Sequence, residues 1–279
     1  MRLLSKQFKE NWRTAFDARL EKSEKTHIRI FRKYYNDNYD TAVNKFTETR
    51  QIAPELIFKE QELTNLYVQM YLDIGLKQAK WYATNFDKYL KKGVDFQDFL
   101  DYWNQAFAEK GLDMAGVRVV TIMATAKKLF VKIIQNFMQD EKFMAEGARV
   151  QARILKNKFK EVSQYQAERI VRTESTLAAN YATQQSALRI FPGSQMSKEW
   201  IAAQDERVRF DHSQADGQIV KFEELFLVGG ERLEYPGDPR GSAGNVINCR
   251  CSTAPIPDED AISNVELEDI GFGLVGQRV

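Results

Sequence analysis

The uneven distribution of glycine and proline constrains the fold of this chain more than any other feature. Ten of its 15 glycines lie after Pro192, and of its six prolines Pro54 alone precedes Pro192. Residues 1–191 can therefore form long helices with few interruptions, whereas the 87 residues after Pro192 favour short strands joined by turns. The pattern predicts an α+β protein, with a long, mainly helical N-terminal region followed by a small mixed α/β C-terminal domain.

Charge follows the same division. Residues 1–192 carry 32 lysines and arginines against 23 acidic residues, whereas residues 193–279 carry 8 against 16. We divide the chain into a basic helical region at 1–162, a domain at 163–257 that opens with a helix at 163–191, and an acidic tail at 258–279. The opposite charges indicate two surfaces with different partners, although solvated lysine-rich helix faces would give the same balance.

Apolar spacing and capping residues place several helices. Large apolar residues recur every four positions from Phe8 to Leu20, which puts them along one helix face. Further helix starts are predicted at Pro54 in a first turn, at Asp95 and Asp113 as N-caps, and at Ser163 with Gln166 as a capping box.

The C-terminal part should be a small set of strands. Strands are predicted at 198–203, 218–222 and 246–253. We expect Trp200 to point inward and Asp205 to cap a short helical turn. Residues 235–241 contain two prolines and two glycines, which excludes regular structure there.

Two further observations bear on the compartment. No stretch approaches the ~18 uncharged apolar residues of a membrane span, and the first residues lack the apolar core of a secretory signal. Cys249 and Cys251, the two cysteines, do not form a disulfide framework. We therefore expect a cytosolic chain with no membrane contact.

An ordered series of short motifs runs from Arg172 to Cys251. In chain order they are Arg172-Thr173-Glu174 on the long helix, Trp200 on a strand, Asp205-Glu206-Arg207-Val208-Arg209 followed by His212, Asp216-Gly217, Pro236-Gly237-Asp238-Pro239, and Asn248-Cys249-Arg250-Cys251. Each motif alone is common, but their order over about 80 residues resembles the phage Mu F-like head morphogenesis family. The resemblance covers residues 172 to about 257.

The resemblance implies a minor head protein of a tailed bacteriophage, a structural component with no enzymatic activity. Such proteins act with the portal protein and other procapsid components in the host cytoplasm, and remain in the virion, in the capsid interior or near the portal. Some are thought to contact the packaged double-stranded DNA or to leave with it. The basic helical region is compatible with DNA contact, because lysine and arginine neutralise phosphates regardless of sequence.

His212, Cys249 and Cys251 support two interpretations. Thiolate and imidazole are donors that zinc favours, so the three residues can supply zinc ligands, with Asp205, Asp211 or Asp216 as a fourth. The cysteines would share one face if they lie on a strand. Alternatively, they are reduced, buried thiols that pack the domain while His212 forms hydrogen bonds, and the two-residue spacing is shorter than in most structural zinc sites.

Two other hypotheses concern charged residues. A metal-dependent hydrolase, most simply a nuclease, would use His212 with Asp205, Asp211 and Asp216, although such residues also cluster in ordinary turns. Separately, a buried ion pair would clamp the helix onto the small domain. It would join Arg172 to Asp205, or Glu174 to Arg207 or Arg209.

Overall fold

In a computed structural model, four long helices precede a small α+β module within the part of the chain that the structure describes. The structure describes residues 3–54, 58–86, 96–193 and 195–259, together with residues 262, 263, 266, 267, 270 and 272. The N-terminal elements are α1 (Lys6–Thr49), α2 (Glu60–Asn85), α3 (Phe96–Met138), α4 (Glu141–Ala145) and α5 (Ala148–Ile190). The remainder comprises β1 (Met196–Ile201), α6 (Phe210–Gln214), β2 (Ile219–Lys221), β3 (Phe226–Val228), β4 (Glu231–Leu233), α7 (Ala243–Val246) and β5 (Ser252–Pro257). The α+β prediction is confirmed.

Among its described residues, the module contains two small antiparallel sheets. Strand β1 lies between β2 and β5, with Glu199 opposite Ile219 on one side and Ala254 on the other. Strands β3 and β4 form a hairpin through Gly229 and Gly230, both of which have positive φ angles. All six residues of β1 are buried, which suits a central strand with both edges paired.

The described residues group into two compact units. The first contains residues 1–25, 71–108 and 172–279, and the second contains residues 26–70 and 109–171. Helices α1, α2, α3 and α5 each contribute one part to each unit.

Aromatic side chains dominate the core of each unit. In the first, Trp12 meets Trp81 edge to face at a centroid distance of 4.9 Å. In the second, Tyr39 stacks on Phe159 at 4.5 Å, and Phe130 stacks on Phe159 at 5.2 Å. These large side chains contribute strongly to stability because each buries an extensive apolar surface.

Several helix boundaries differ from the sequence predictions. Helix α2 begins at Glu60 rather than near Pro54, with Glu60 and Glu62 in a first turn where the helix dipole favours acidic side chains. Asp113 lies exposed inside α3 rather than at its start. Ser163 lies fully buried inside α5, which begins fifteen residues earlier at Ala148. Asp95 lies outside the described residues.

Burial of neighbouring side chains in the tertiary structure explains why no helix begins at Asp113 or Ser163. Helix α3 buries Trp103, Phe107 and Met114 around Asp113, and α5 buries Leu155 and Phe159 ahead of Ser163. The burial of such side chains outweighs the weak preference of a single capping residue for a helix start. The apolar row of α1 is confirmed, because Phe8, Trp12, Phe16 and Leu20 are all buried.

The strand predictions were partly correct. Strand β1 occupies most of the expected 198–203 range, with Trp200 fully buried, and β2 lies within 218–222. The expected strand at 246–253 is wrong except for its last two residues: α7 ends at Val246, an irregular segment follows, and β5 starts at Ser252. The positive φ of 55° at Asn248 interrupts extended backbone there. Among the described residues, no helix is long and apolar enough to cross a membrane.

Candidate functional site

The C-terminal half of α5 presents a buried polar face to the module. Thr173, Glu174, Thr176 and Asn180 are all less than 9% exposed. Buried polar groups are costly unless they form hydrogen bonds, so such a face requires polar partners. Loop backbone atoms of the module provide many of them.

Asn180 binds two of the family motifs simultaneously. Its side-chain amide donates to the carbonyls of Pro236 (3.2 Å) and Cys251 (3.1 Å), and its side-chain oxygen accepts from the N–H of Thr253 at 2.8 Å. The Thr176 hydroxyl donates to the carbonyl of Cys249. One helix thereby fixes both the loop that starts at Pro236 and the segment that leads into β5.

Neighbouring motif residues on α5 have similar roles. The Thr173 hydroxyl accepts from the N–H of Asn248 at 3.1 Å. Glu174 accepts a hydrogen bond of 2.6 Å from the hydroxyl of Tyr71, on α2. The carboxylate that we predicted to receive an arginine from the module thus binds a tyrosine.

Asp238 organises the loop between β4 and α7. Its buried carboxylate accepts from the N–H of Glu234 at 2.6 Å and from the Arg240 side chain at distances between 2.7 and 3.1 Å. Gly237 (φ 86°) precedes it, and a Cβ atom there would lie 3.0 Å from the backbone nitrogen of Leu177. The loop can therefore approach α5 closely only with glycine at this position.

The remaining turn motif connects β1 to β2. Asp216 accepts the N–H of Ala202 at 2.8 Å, and the N–H of Gly217 (φ 78°) donates to the Trp200 carbonyl at 2.9 Å. Asp205 accepts the N–H of Arg207 at 2.9 Å and so caps a turn as predicted, but this turn is not helical, since α6 begins only at Phe210. These two carboxylates therefore stabilise turns.

His212, Cys249 and Cys251 meet in the core of the module. All three are at most 2% exposed, and the Nδ1 atom of His212 lies 3.4 Å from Sγ of Cys251 and 3.6 Å from Sγ of Cys249. The cysteines do not lie on a strand as expected, yet both thiols reach the same histidine nitrogen. The hydrogen bond between the two thiols lowers the pKa of Cys249 and raises that of Cys251.

Apolar side chains surround this cluster. Trp200 packs edge to face against His212 at 5.6 Å and against Phe226 at 5.4 Å. Both cysteines belong to the same buried core as these rings. Among the described residues, Asp205, Asp211 and Asp216 lie outside the group of closely spaced metal-binding atoms, so the expected fourth ligand is not found among them.

A second feature is a cavity of about 570 Å³ in the same unit. The family-motif residues that line it are Arg172, Asp205, Arg207, Arg209 and Asn248, and Arg250 joins them. Arg250 pairs with Asp205, and Arg209 donates to the carbonyl of Ile247. Arg172 and Asp205, which we predicted to pair, line the same cavity.

Helix α1 also contributes to this cavity, which the motif series did not predict. Arg13, Asp17, Glu21 and Glu24 also line it. The spacing of four and three residues from Asp17 to Glu24 could have indicated an acidic face on this helix, but not that the face lies at the cavity. Arginine side chains can bind carboxylate or phosphate in two-pronged geometry, so a cavity with this mixture of charges can hold a charged partner group.

Burial changes the acidity of two cavity carboxyls. Desolvation raises the pKa of Asp17 from 3.8 to about 6 and that of Glu24 from 4.5 to about 7, although arginines oppose both shifts. A carboxyl whose pKa rises on folding favours the folded state while it is protonated. That contribution is present in acid and is lost as the pH increases through 6 and 7.

We therefore expect the free energy of unfolding to fall between pH 5 and pH 8, and the Asp17→Asn/Glu24→Gln double variant to lose most of this dependence. The difference should be on the order of 2 kcal/mol, because both side chains retain some solvent contact. Urea denaturation at several pH values measures it. Glu21→Gln is the control, since Glu21 is exposed and Lys25 lowers its pKa. Equal pH dependence in the double variant and the native chain would contradict the assignment.

The residues described above define a small α+β module held by one long helix, in which every motif of the series forms part of a single compact unit. The model of the family described as Phage Mu protein F like protein matches residues 132–254. The match confirms the resemblance to the phage Mu F-like family and extends it upstream into α3. No curated protein and no solved structure matches the chain.

Proposed function

We propose that this chain is a minor head protein of a tailed bacteriophage that acts with the portal during procapsid assembly. The observation that carries the proposal is the match to the Mu F-like family over residues 132–254. The protein works in the host cytoplasm during assembly and is then retained in the virion, in the capsid interior or near the portal.

The arrangement of the motif residues supports a docking role for the domain. Thr173, Asn180 and Asp238 are buried and organise the module, whereas the arginines near Asp205 line an open cavity. Buried motif residues maintain the shape, and Arg207, whose side chain is 71% exposed, presents its charge at the cavity. We propose that the cavity binds acidic side chains of the portal protein or of another procapsid component.

A co-purification experiment with a matched variant tests this proposal. The tagged chain is produced together with the portal protein of the same phage, and portal captured per chain is quantified after nuclease treatment. Arg207→Glu reverses a charge in the cavity, and Arg232→Glu makes the same exposed change on β4, outside the residues that line it.

The native chain and Arg232→Glu should capture portal, and Arg207→Glu should capture at least about fivefold less, since charge reversal opposes the proposed acidic partner. Absence of portal from the native capture would overturn the proposed function. Equal capture by Arg207→Glu would mean that the chain binds the portal protein, but not through the cavity.

Contact with double-stranded DNA is the second part of the proposal. Its support is the excess of lysine and arginine in residues 1–192. When lysines and arginines bind DNA phosphates, counterions are released from the DNA into solution. The affinity should therefore fall steeply as the salt concentration increases. DNA retention that is absent at low salt, or insensitive to salt, would exclude this contact.

A further inference from the structure

We propose that His212, Cys249 and Cys251 bind one zinc ion inside the module. Two thiolates and one imidazole form a soft donor set that selects zinc over the oxygen-binding cations magnesium and calcium. The site is a structural centre separate from the arginine-lined cavity, and it does not depend on the role in head assembly.

The distances between the donor atoms match a tetrahedral zinc site. With Zn–N of about 2.0 Å and Zn–S of about 2.3 Å, tetrahedral geometry places a nitrogen about 3.5 Å from each sulfur. The Nδ1 atom of His212 lies 3.4 Å from one Sγ and 3.6 Å from the other. All three donor atoms lie within 4.8 Å of one another.

A simple hydrogen bond accounts less well for this arrangement. Nδ1 of an imidazole has either one proton or one lone pair, so it pairs well with one sulfur at a time. Here two sulfurs lie at nearly equal distances from that atom. A metal ion between the three atoms would explain both contacts together.

The surroundings also suit a structural metal. Thr176 and Asn180 of α5 hold the carbonyls of Cys249 and Cys251, which fixes the backbone that carries both sulfurs. Trp200 packs against the His212 ring and orients it. Zinc would then join α6 to the segment before β5 in a module whose strands are at most six residues long. Three protein ligands leave one coordination position for water or another small ligand.

The metal content of the purified chain tests the site. The native chain, purified without chelator, should contain about one zinc per chain, and Cys249→Ser and Cys251→Ser should each retain at least about tenfold less. His27→Gln changes the only other histidine, which lies in α1, and should retain the native content. Circular dichroism verifies that the variants remain helical.

Cobalt substitution provides a test that needs no variant. Adding Co²⁺ to native protein stripped of metal should produce thiolate-to-cobalt charge-transfer absorption, which zinc then removes. Zinc well below stoichiometry together with no such absorption would overturn the proposal. Zinc retained at native content in the Cys249→Ser/Cys251→Ser double variant would also overturn it.

Discussion

Replacing Asn180 with leucine is expected to lower the free energy of unfolding by about 3 kcal/mol or more. The substitution removes the hydrogen bonds to the carbonyls of Pro236 and Cys251 and to the N–H of Thr253. A buried polar group that loses its partner costs about 1–3 kcal/mol, and leucine supplies no replacement. Denaturant unfolding, followed by circular dichroism, measures the change.

Asn104→Leu is the matched control for this substitution. The Asn104 amide also donates to a backbone carbonyl, but it does so on the exposed surface of α3, where water can replace the bond. Its effect should lie within about 0.5 kcal/mol of zero. If Asn180→Leu is no more destabilising than Asn104→Leu, then Asn180 does not hold the two motif loops as described.

Replacing Trp200 with alanine should destabilise the chain by about 3–5 kcal/mol, since a large core side chain is lost and a cavity remains. The indole is fully buried and contacts both His212 and Phe226. The same denaturation experiment measures the loss. Phe210→Ala removes an aromatic ring that is 75% exposed, and it should have little effect. Similar losses for the two variants would show that Trp200 does not organise the core.

The sequence predicted those features that depend on local periodicity. The apolar row from Phe8 to Leu20, the buried Trp200 and the turn at Asp205 all follow from spacing and capping preferences. The boundaries at Asp113 and Ser163 could not be predicted in this way, because large apolar side chains on either side of Asp113 and ahead of Ser163 are buried in the tertiary structure and continue both helices through these positions.

The sequence identified most residues of the candidate site, but it did not predict how they are arranged in space. Motif order identified Arg172, Asn248 and the cysteines, but only the folded chain shows which of them share a cavity and which meet His212. The two thiols converge through the irregular backbone around Asn248, held by Thr176 and Asn180, rather than through strand alternation. The acidic face of α1 reaches the cavity across almost the whole length of the sequence, a separation that no local pattern encodes.

The role in head assembly is tested most directly by measuring this protein in purified procapsids. Procapsids are assembled from the capsid, scaffolding and portal proteins of the same phage, with this chain present, and copies per particle are counted by quantitative mass spectrometry. We expect a low, fixed number of copies per particle that falls to background when the portal is omitted. Procapsids that contain none of this protein, although portal is present, would contradict the assignment.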